Sequence, residues 1–561
     1  MAELTREAIP ASERWDLAHL FPSVDAWEAE RAALQAELPG LAALQGSLHH
    51  GPAAVLQVLT LSDRISERLE RLFAYAALER DLDTRQNAPV QRYEQAMSLA
   101  VAAGRAGAWI APELLTLSDA ELRGLLDQEP GLAPYTRLIE RTIRERPHIR
   151  SAEVEEVLAA STEMAHAAEN VFTFLDNADI EYGTVVDSDG NEVKLTKGRY
   201  QRFLESHDRR VRRDAYQTLY VPYLAHRNTL GALLTATVQR DAFYARARHY
   251  DSSLEAALQP EAIPASVYSN LIQTIHQHLP LLHRYIALRK RVLGVDDLHT
   301  YDLYVPLVEM PERDYRYEEA RNTVLHALAP LGSPYTDVLS TGLRERWSDV
   351  YETPGKRSGA YSFGVYGAHP FMLLNWTNAL NDVFTLAHEA GHAMHSYLSN
   401  TTQPHPTADY TIFVAEVAST FNEQLLTADL LSRTDDPKER AYLLNDALET
   451  FRGTVYRQTM FAEFELLIHQ IVESGEGLTP ERLTSEYARL VGEYHGPQLL
   501  VDEQVSVEWS RIPHFYRAYY VYQYATGLIA SMALAAAVSG QQPQARERYL
   551  RFLSSGASQD S

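Results

Sequence analysis

The chain of 561 residues contains no cysteine. It therefore has no disulfide frame and no thiolate metal site, and any zinc must be held by His, Asp or Glu. Long apolar runs are missing too: the softest stretch, Gly527 to Gly540, is Ala-rich and too short to span a bilayer. There is no excess of positive charge, since 51 basic residues face 75 acidic ones for a net charge of -24. That balance speaks against nucleic acid and anionic membrane as partners. The opening MAELTREAIPASERWDL lacks the apolar core of a signal peptide, so a cytoplasmic location is the expectation.

What remains reads as a soluble, mainly α protein. At 45 % hydrophobic and 22 % charged the composition is that of an ordinary globular chain. From Trp15 to about Ile180 amphipathic helices follow one another, with Ser23, Ser118 and Ser151 as caps before acidic first turns. The period then changes in IEYGTVVDSDGNEVKL, residues 180 to 195, which predicts a hairpin around an Asp-Gly turn. A calcium loop on Asp187, Asp189 and Asn191 is rejected because Gly190 falls between the would-be ligands. Helices resume from Gly198, and the cluster Arg209, Arg210, Arg212 and Arg213 reads as a solvated helix face. Gly355 to Trp376 is the strand candidate of the second half, either a small structural sheet or an edge that binds an extended peptide.

The chemistry concentrates just after that segment. NDVFTLAHEAGHAMHSYLSN, residues 381 to 400, carries HEAGH, with Asn381 or Asp382 to cap a helix and Val383, Phe384, Leu386, Ala387, Ala390, Ala393 and Met394 to bury it. On a helix His388 and His392 share a face and can offer two imidazole nitrogens to one metal ion. Glu389 lies about 100° around the axis, placed to touch a water on that metal rather than the metal itself.

Catalytic zinc takes three protein ligands, so a third is needed. A metzincin would have glycine and then histidine where this chain has His395 and Leu398, which removes that class. His395 shares the face, but three such positions spread over about 10 Å, too far for one ion, and it reads as a supporting or packing residue. In TIFVAEVASTFNEQLL, residues 411 to 426, acidic Glu416 interrupts a helical apolar pattern, which is costly unless the carboxylate is paired or bound to metal. Glu423, two turns on, can steady a ligating histidine or simply face solvent.

HEAGHAMH followed by FVAEVAST resembles the thimet oligopeptidase family of zinc peptidases, in its oligoendopeptidase F branch. GAYS at 359 to 362, VSVEWSRIPHFY at 505 to 516 and YYVYQYATG at 519 to 527 are similar to the same branch, and the order of segments fits its catalytic part from about Lys194 to Leu553. The resemblance implies one Zn²⁺ per chain on His388, His392 and Glu416, with Glu389 as the catalytic base. It implies a helical ellipsoid of two lobes around a deep substrate channel, with an HExxH zincin core and a small β-sheet. The division expected is 1–185 as an N-terminal helical lobe and 186–561 as the zinc peptidase catalytic domain.

The segment 512 to 527 holds His514 and five tyrosines, at 516, 519, 520, 522 and 524. Read alone it is a helical aromatic cluster of the kind that fills cores. Peptide hydrolysis, however, builds an oxyanion that a neutral phenol or an imidazole N–H can stabilise. In the resembled family a His and Tyr group from this region does so, which points to His514 and Tyr522, and next to Tyr519. The expected activity is a zinc-dependent endopeptidase that hydrolyses internal bonds of short unfolded oligopeptides with a metal-activated water. An exopeptidase would need a group to hold a substrate terminus, and none is identifiable. A peptide-binding protein without chemistry would be marked by loss of His388, Glu389, His392 or Glu416, all of which are present.

Overall fold

A computed structural model describes residues 4–309 and 313–560. Among them helices dominate, and five short strands form two small sheets: β1 (Thr184–Val186), β2 (Glu192–Lys194), β3 (Ser348–Tyr351), β4 (Tyr361–Phe363) and β5 (Phe371–Trp376). The chain folds into two compact units of discontinuous segments. One comprises Met1–Arg146, Glu312–Arg433 and Gly527–Ser561, the other Pro147–Pro311 and Thr434–Thr526. The 185/186 boundary falls inside the second. No helix among the described residues is long and apolar enough to cross a membrane.

In the first unit three long helices, Val24–Ala42, Pro52–Leu82 and Asn87–Gly107, bury one core that includes Trp27, Leu34, Leu72 and Leu99. Ser23 starts the first of them by accepting the Ala26 N–H, and Ser118 builds a full capping box with Glu121 farther on. Val365, Phe371 and Leu373 complete this core, so one face of the sheet belongs to it. The sheet order is β3-β5-β4, with β5 in the middle, parallel to β3 and antiparallel to β4. Side chains alternate along a strand, so Met372 and Leu374, also fully buried, point to the opposite face. The helix Leu380–Thr402, which follows β5 directly, packs against this strand.

That helix starts at Leu380 with Ala379 in the cap position, ahead of the Asn381 or Asp382 cap expected from the sequence. Asp382 sits in the first turn, and its carboxylate reaches back to accept the N–H groups of Thr377 and Ala379 and the Thr377 hydroxyl. Its apolar side is closed nearly as the sequence indicates: Val383, Leu386, Ala387, Ala390, Ala393 and Met394 are buried, while Phe384 is half-buried. It lies against the helix Ile412–Arg433 so tightly that a Cβ on Gly391 would stand 2.5 Å from the Ala418 carbonyl oxygen and 2.6 Å from the Ser419 Cα. Both are backbone atoms, which no rotamer change can clear. Asn422, fully buried in the second helix, ties the pair by donating to the Ala387 carbonyl at 3.0 Å.

In the second unit β1 and β2 form the expected hairpin, with Val185 opposite Val193. Asp187 accepts the N–H groups of Asp189 and Asn191, so its carboxylate is spent on the turn. The arginine cluster differs from expectation at Arg212, while the side chains of Arg209, Arg210 and Arg213 stay 40 %, 41 % and 49 % exposed. Arg212 is 3 % exposed, and it and Arg209 both donate to Asp302, which is fully buried. An arginine that neutralises a buried acid from another segment is drawn out of water with it, and no periodicity within 209–213 reveals that acid.

Two outcomes test these packings. Gly391→Ala would gain at most about 1 kcal/mol of helix propensity, but overpacking two backbones costs about 1–3 kcal/mol. A net loss of stability in denaturant melts is therefore expected. In the first unit His405 pairs with Asp63 and lies 3.4 Å from Glu70, both on the Pro52–Leu82 helix. Burial lowers its pKa, but the two carboxylates outweigh burial and raise it to about 9. Since that lies above the ordinary value of about 6.5, the stabilisation is full below about pH 6.5 and lost as pH rises through about 9. The thermal midpoint of wild type should fall over that window by more than that of His405→Ala, and parallel curves would refute the coupling.

Candidate active site

The helices Leu380–Thr402 and Ile412–Arg433 bring together His388, His392 and Glu416, the cluster whose ligand atoms all lie within 4.8 Å of one another. Each histidine Nε2 is 3.5 Å from the same Glu416 oxygen, Oε2. With metal–ligand bonds of about 2.1 Å, ligand atoms at the corners of a tetrahedron lie about 3.4 Å apart. The spacing fits one ion, and two nitrogens with one carboxylate oxygen suit zinc. The side chains of the three are 27 %, 18 % and 36 % exposed, so a fourth position stays accessible, as it must in a catalytic rather than a structural site.

Each ligand is itself held. His388 turns its Nδ1 toward Glu423 Oε1 at 2.5 Å, which leaves Nε2 directed at the cluster. Glu423 thus has a partner and is not a plain surface carboxylate. Ser419 donates to Glu416 Oε2 at 2.8 Å, one turn along the same helix. His395 is 1 % exposed, stacks on Tyr410 with ring centres 3.6 Å apart, and stays out of the cluster, as its distance along the helix requires.

Glu389 is 6 % exposed, and its Oε2 is buried without a hydrogen-bonding partner among the described residues. Burial raises its pKa, against the pull of His388 and His392. A desolvated carboxyl with an unpartnered oxygen beside such a cluster has the surroundings that general-base chemistry needs.

His514 and the tyrosines belong to the second unit. The segment is not one continuous helix: a 3-10 turn, Pro513–Tyr516, gives way to a bend before the helix Tyr522–Ser539 begins. Glu508 anchors its approach, accepting Arg457 at 2.7 Å, Arg511 at 2.5 Å and the Tyr487 hydroxyl at 2.7 Å, all in the interior. Burial first, then Arg457 and Arg517, lower the His514 pKa, so the ring is neutral at neutral pH. The bend sorts the phenols into two sets. Tyr519 and Tyr522, 2 % and 0 % exposed, pack on Tyr268 at 5.5 and 5.0 Å. Tyr520 and Tyr524 are half-buried and flank the His514 ring, each with its centre 6.0 Å away, and the Tyr524 hydroxyl is 3.5 Å from His514 Nε2. Sequence reasoning put forward the first pair; the second is what accompanies His514, and an i, i+4 spacing across a helical break gave no sign of it.

Comparison with known proteins places the chain in a family. Residues 202–561 match the model of peptidase family M3, and residues 113–182 that of oligopeptidase F. The chain is 46 % identical over 554 residues to oligopeptidase PepF of Bacillus subtilis, covering 99 % of this chain and 83 % of that protein. It is 40 % identical to the group B oligopeptidase PepB of Streptococcus agalactiae, covering 99 % and 92 %. A putative peptidase from Chlamydophila abortus superposes with a TM-score of 0.94 at 36 % identity over 100 % of this chain and 94 % of its own. For the oligoendopeptidase F of Enterococcus faecium the TM-score is 0.72, at 37 % identity over 94 % and 91 %. The chain therefore belongs to peptidase family M3, among the oligoendopeptidase F proteins, and is a metalloendopeptidase.

Proposed function

We propose that this enzyme is zinc-dependent, that it cuts internal bonds of short unfolded oligopeptides, and that His388, His392 and Glu416 hold one zinc ion. The observation that carries the reading is the 3.5 Å separation of both imidazole nitrogens from one Glu416 oxygen, beside an unpaired buried Glu389. When bound, the ion supplies Lewis-acid polarisation of the scissile carbonyl and brings the pKa of water toward neutrality. Glu389 accepts the proton of the attacking water and returns it to the leaving amine. Glu423 keeps His388 in the tautomer that presents Nε2. His514 and phenols of the following segment donate hydrogen bonds to the developing oxyanion.

Among the phenols Tyr522 leads, followed by Tyr519, on the sequence resemblance. The position of Tyr520 and Tyr524 beside His514 favours a second reading, in which this half-exposed pair acts. The four Tyr→Phe variants separate the two readings, because loss of an oxyanion donor lowers kcat by about 10²–10³-fold.

Zinc content and cleavage of an internally quenched peptide test the centre. Glu389→Gln should keep zinc and lose at least about a hundredfold in kcat; full activity in this variant would sink the mechanism. Glu416→Ala should lose zinc to mild chelation, and Glu423→Gln should weaken zinc affinity or activity about 10–100-fold. A peptide capped at both ends should still be cut internally, and cleavage should vanish for a folded protein that carries the same sequence.

A further inference from the structure

We propose that Glu465 is a positioning residue of this enzyme, holding by one hydrogen bond the backbone bend that orders the His514–Tyr524 segment. The inference rests on the reading that this segment takes part in hydrolysis. Glu465 lies within the helix Arg457–Glu473 and is 1 % exposed. Its Oε1 accepts the Tyr519 N–H at 2.7 Å, and its Oε2 has no hydrogen-bonding partner among the described residues. Burial pushes this carboxyl well above the usual range, against the pull of the Tyr519 N–H, so it sits there as a neutral acid. Such a group is a poor choice for a core. A leucine would fill the space without leaving a polar oxygen unpaired.

What the carboxyl gains for the chain is the conformation of Tyr519, whose φ is +50°. Bulky residues seldom enter the left-handed region, and strain of this kind gathers where surrounding structure fixes it for function. The surroundings here do fix it. The Tyr519 ring is held between Tyr268, at 5.5 Å, and His469, at 4.8 Å. Tyr268 is itself pinned by donating to the Ala462 carbonyl at 2.7 Å, and His469 contacts the Glu465 carbonyl through Nδ1 at 2.8 Å. One helix thus supplies the acceptor, the clamp and the clamp's anchor. The left-handed step at Tyr519 ends the approach from His514 and lets the helix start at Tyr522, so Tyr519 and Tyr522 turn inward while Tyr520 and Tyr524 stay with His514. Without the bond the step relaxes and both sets of phenols lose their places, whichever set acts.

The test uses the zinc-loaded full chain and Glu465→Gln, Glu465→Leu and Glu465→Met, with kcat, KM, zinc content and amide exchange around Tyr519 measured for each. Glutamine keeps an acceptor oxygen and resembles the neutral acid, so it should stay within about threefold of wild type. The two apolar variants should retain zinc and KM but lose kcat by about 10–100-fold, the scale of a small misplacement of catalytic groups. Exchange at Tyr519 should quicken. Combining Glu465→Leu with the most damaging Tyr→Phe change should add little, since both act through one segment. Wild-type kcat in the apolar variants would overturn the inference. So would a glutamine variant as impaired as the leucine one, full additivity in the combination, or loss of zinc and fold in both apolar variants. If His514→Ala and all four Tyr→Phe variants keep wild-type kcat, the reading of the segment falls instead, and those variants show it without any change at Glu465.

Discussion

Where Gly391 meets the Ala418–Ser419 peptide, two helices lie backbone against backbone, with no side chain between them. The metal cluster depends on this contact. His388 and His392 flank Gly391 on one helix, and Glu416 stands two residues before Ala418 on the other, so ligand reach is set by how closely the axes approach. One methyl group at 391 would separate atoms that a tetrahedral ion needs about 3.4 Å apart. The buried Asn422 bond and the apolar face of the Leu380–Thr402 helix hold the same approach from either side.

The acids around the metal cluster are expensive to bury, and their surroundings differ. Glu416 is drawn below the usual carboxylate range, to about 2: burial opposes this, and the neighbouring histidines and Ser419 outweigh burial. Glu423 spends its charge on His388. Of the three acids at the cluster, Glu389 alone keeps a buried oxygen with no partner among the described residues, and a water or ligand there would complete it. The pattern of satisfied and unsatisfied acids thus matches the roles proposed for Glu416, Glu423 and Glu389.

The second unit uses buried charge for another purpose. Glu508 with Arg457 and Arg511, and Asp302 with Arg209 and Arg212, are ion pairs whose acids are buried. Replacing such pairs by apolar residues often costs nothing in stability, so their value lies in specifying one arrangement. Glu508 fixes the turn before His514, and Glu465 fixes the bend after it. The segment between them is consequently placed by acids on the interior side.

Much of the site was legible without coordinates, because its information is local. HEAGH puts two imidazoles and a carboxylate on one helix turn by periodicity alone, and Glu416 betrays itself as an acid in an apolar pattern. The 180–195 hairpin was legible for the same reason, as was the strand segment before the metal helix, although β3 was not, since four residues carry too little pattern. The sequence could also say that no thiolate holds the metal. Tertiary structure alone decided what depends on partners distant in the chain: Arg212 is buried because Asp302 lies ninety residues away, and Glu423 is engaged because His388 lies thirty-five residues before it. The tyrosines show the limit most clearly. Their spacing suggests one aromatic face, yet a left-handed residue at 519, anchored by Glu465, breaks the helix and divides them into two sets. No local period encodes a bend that is held in place from another helix.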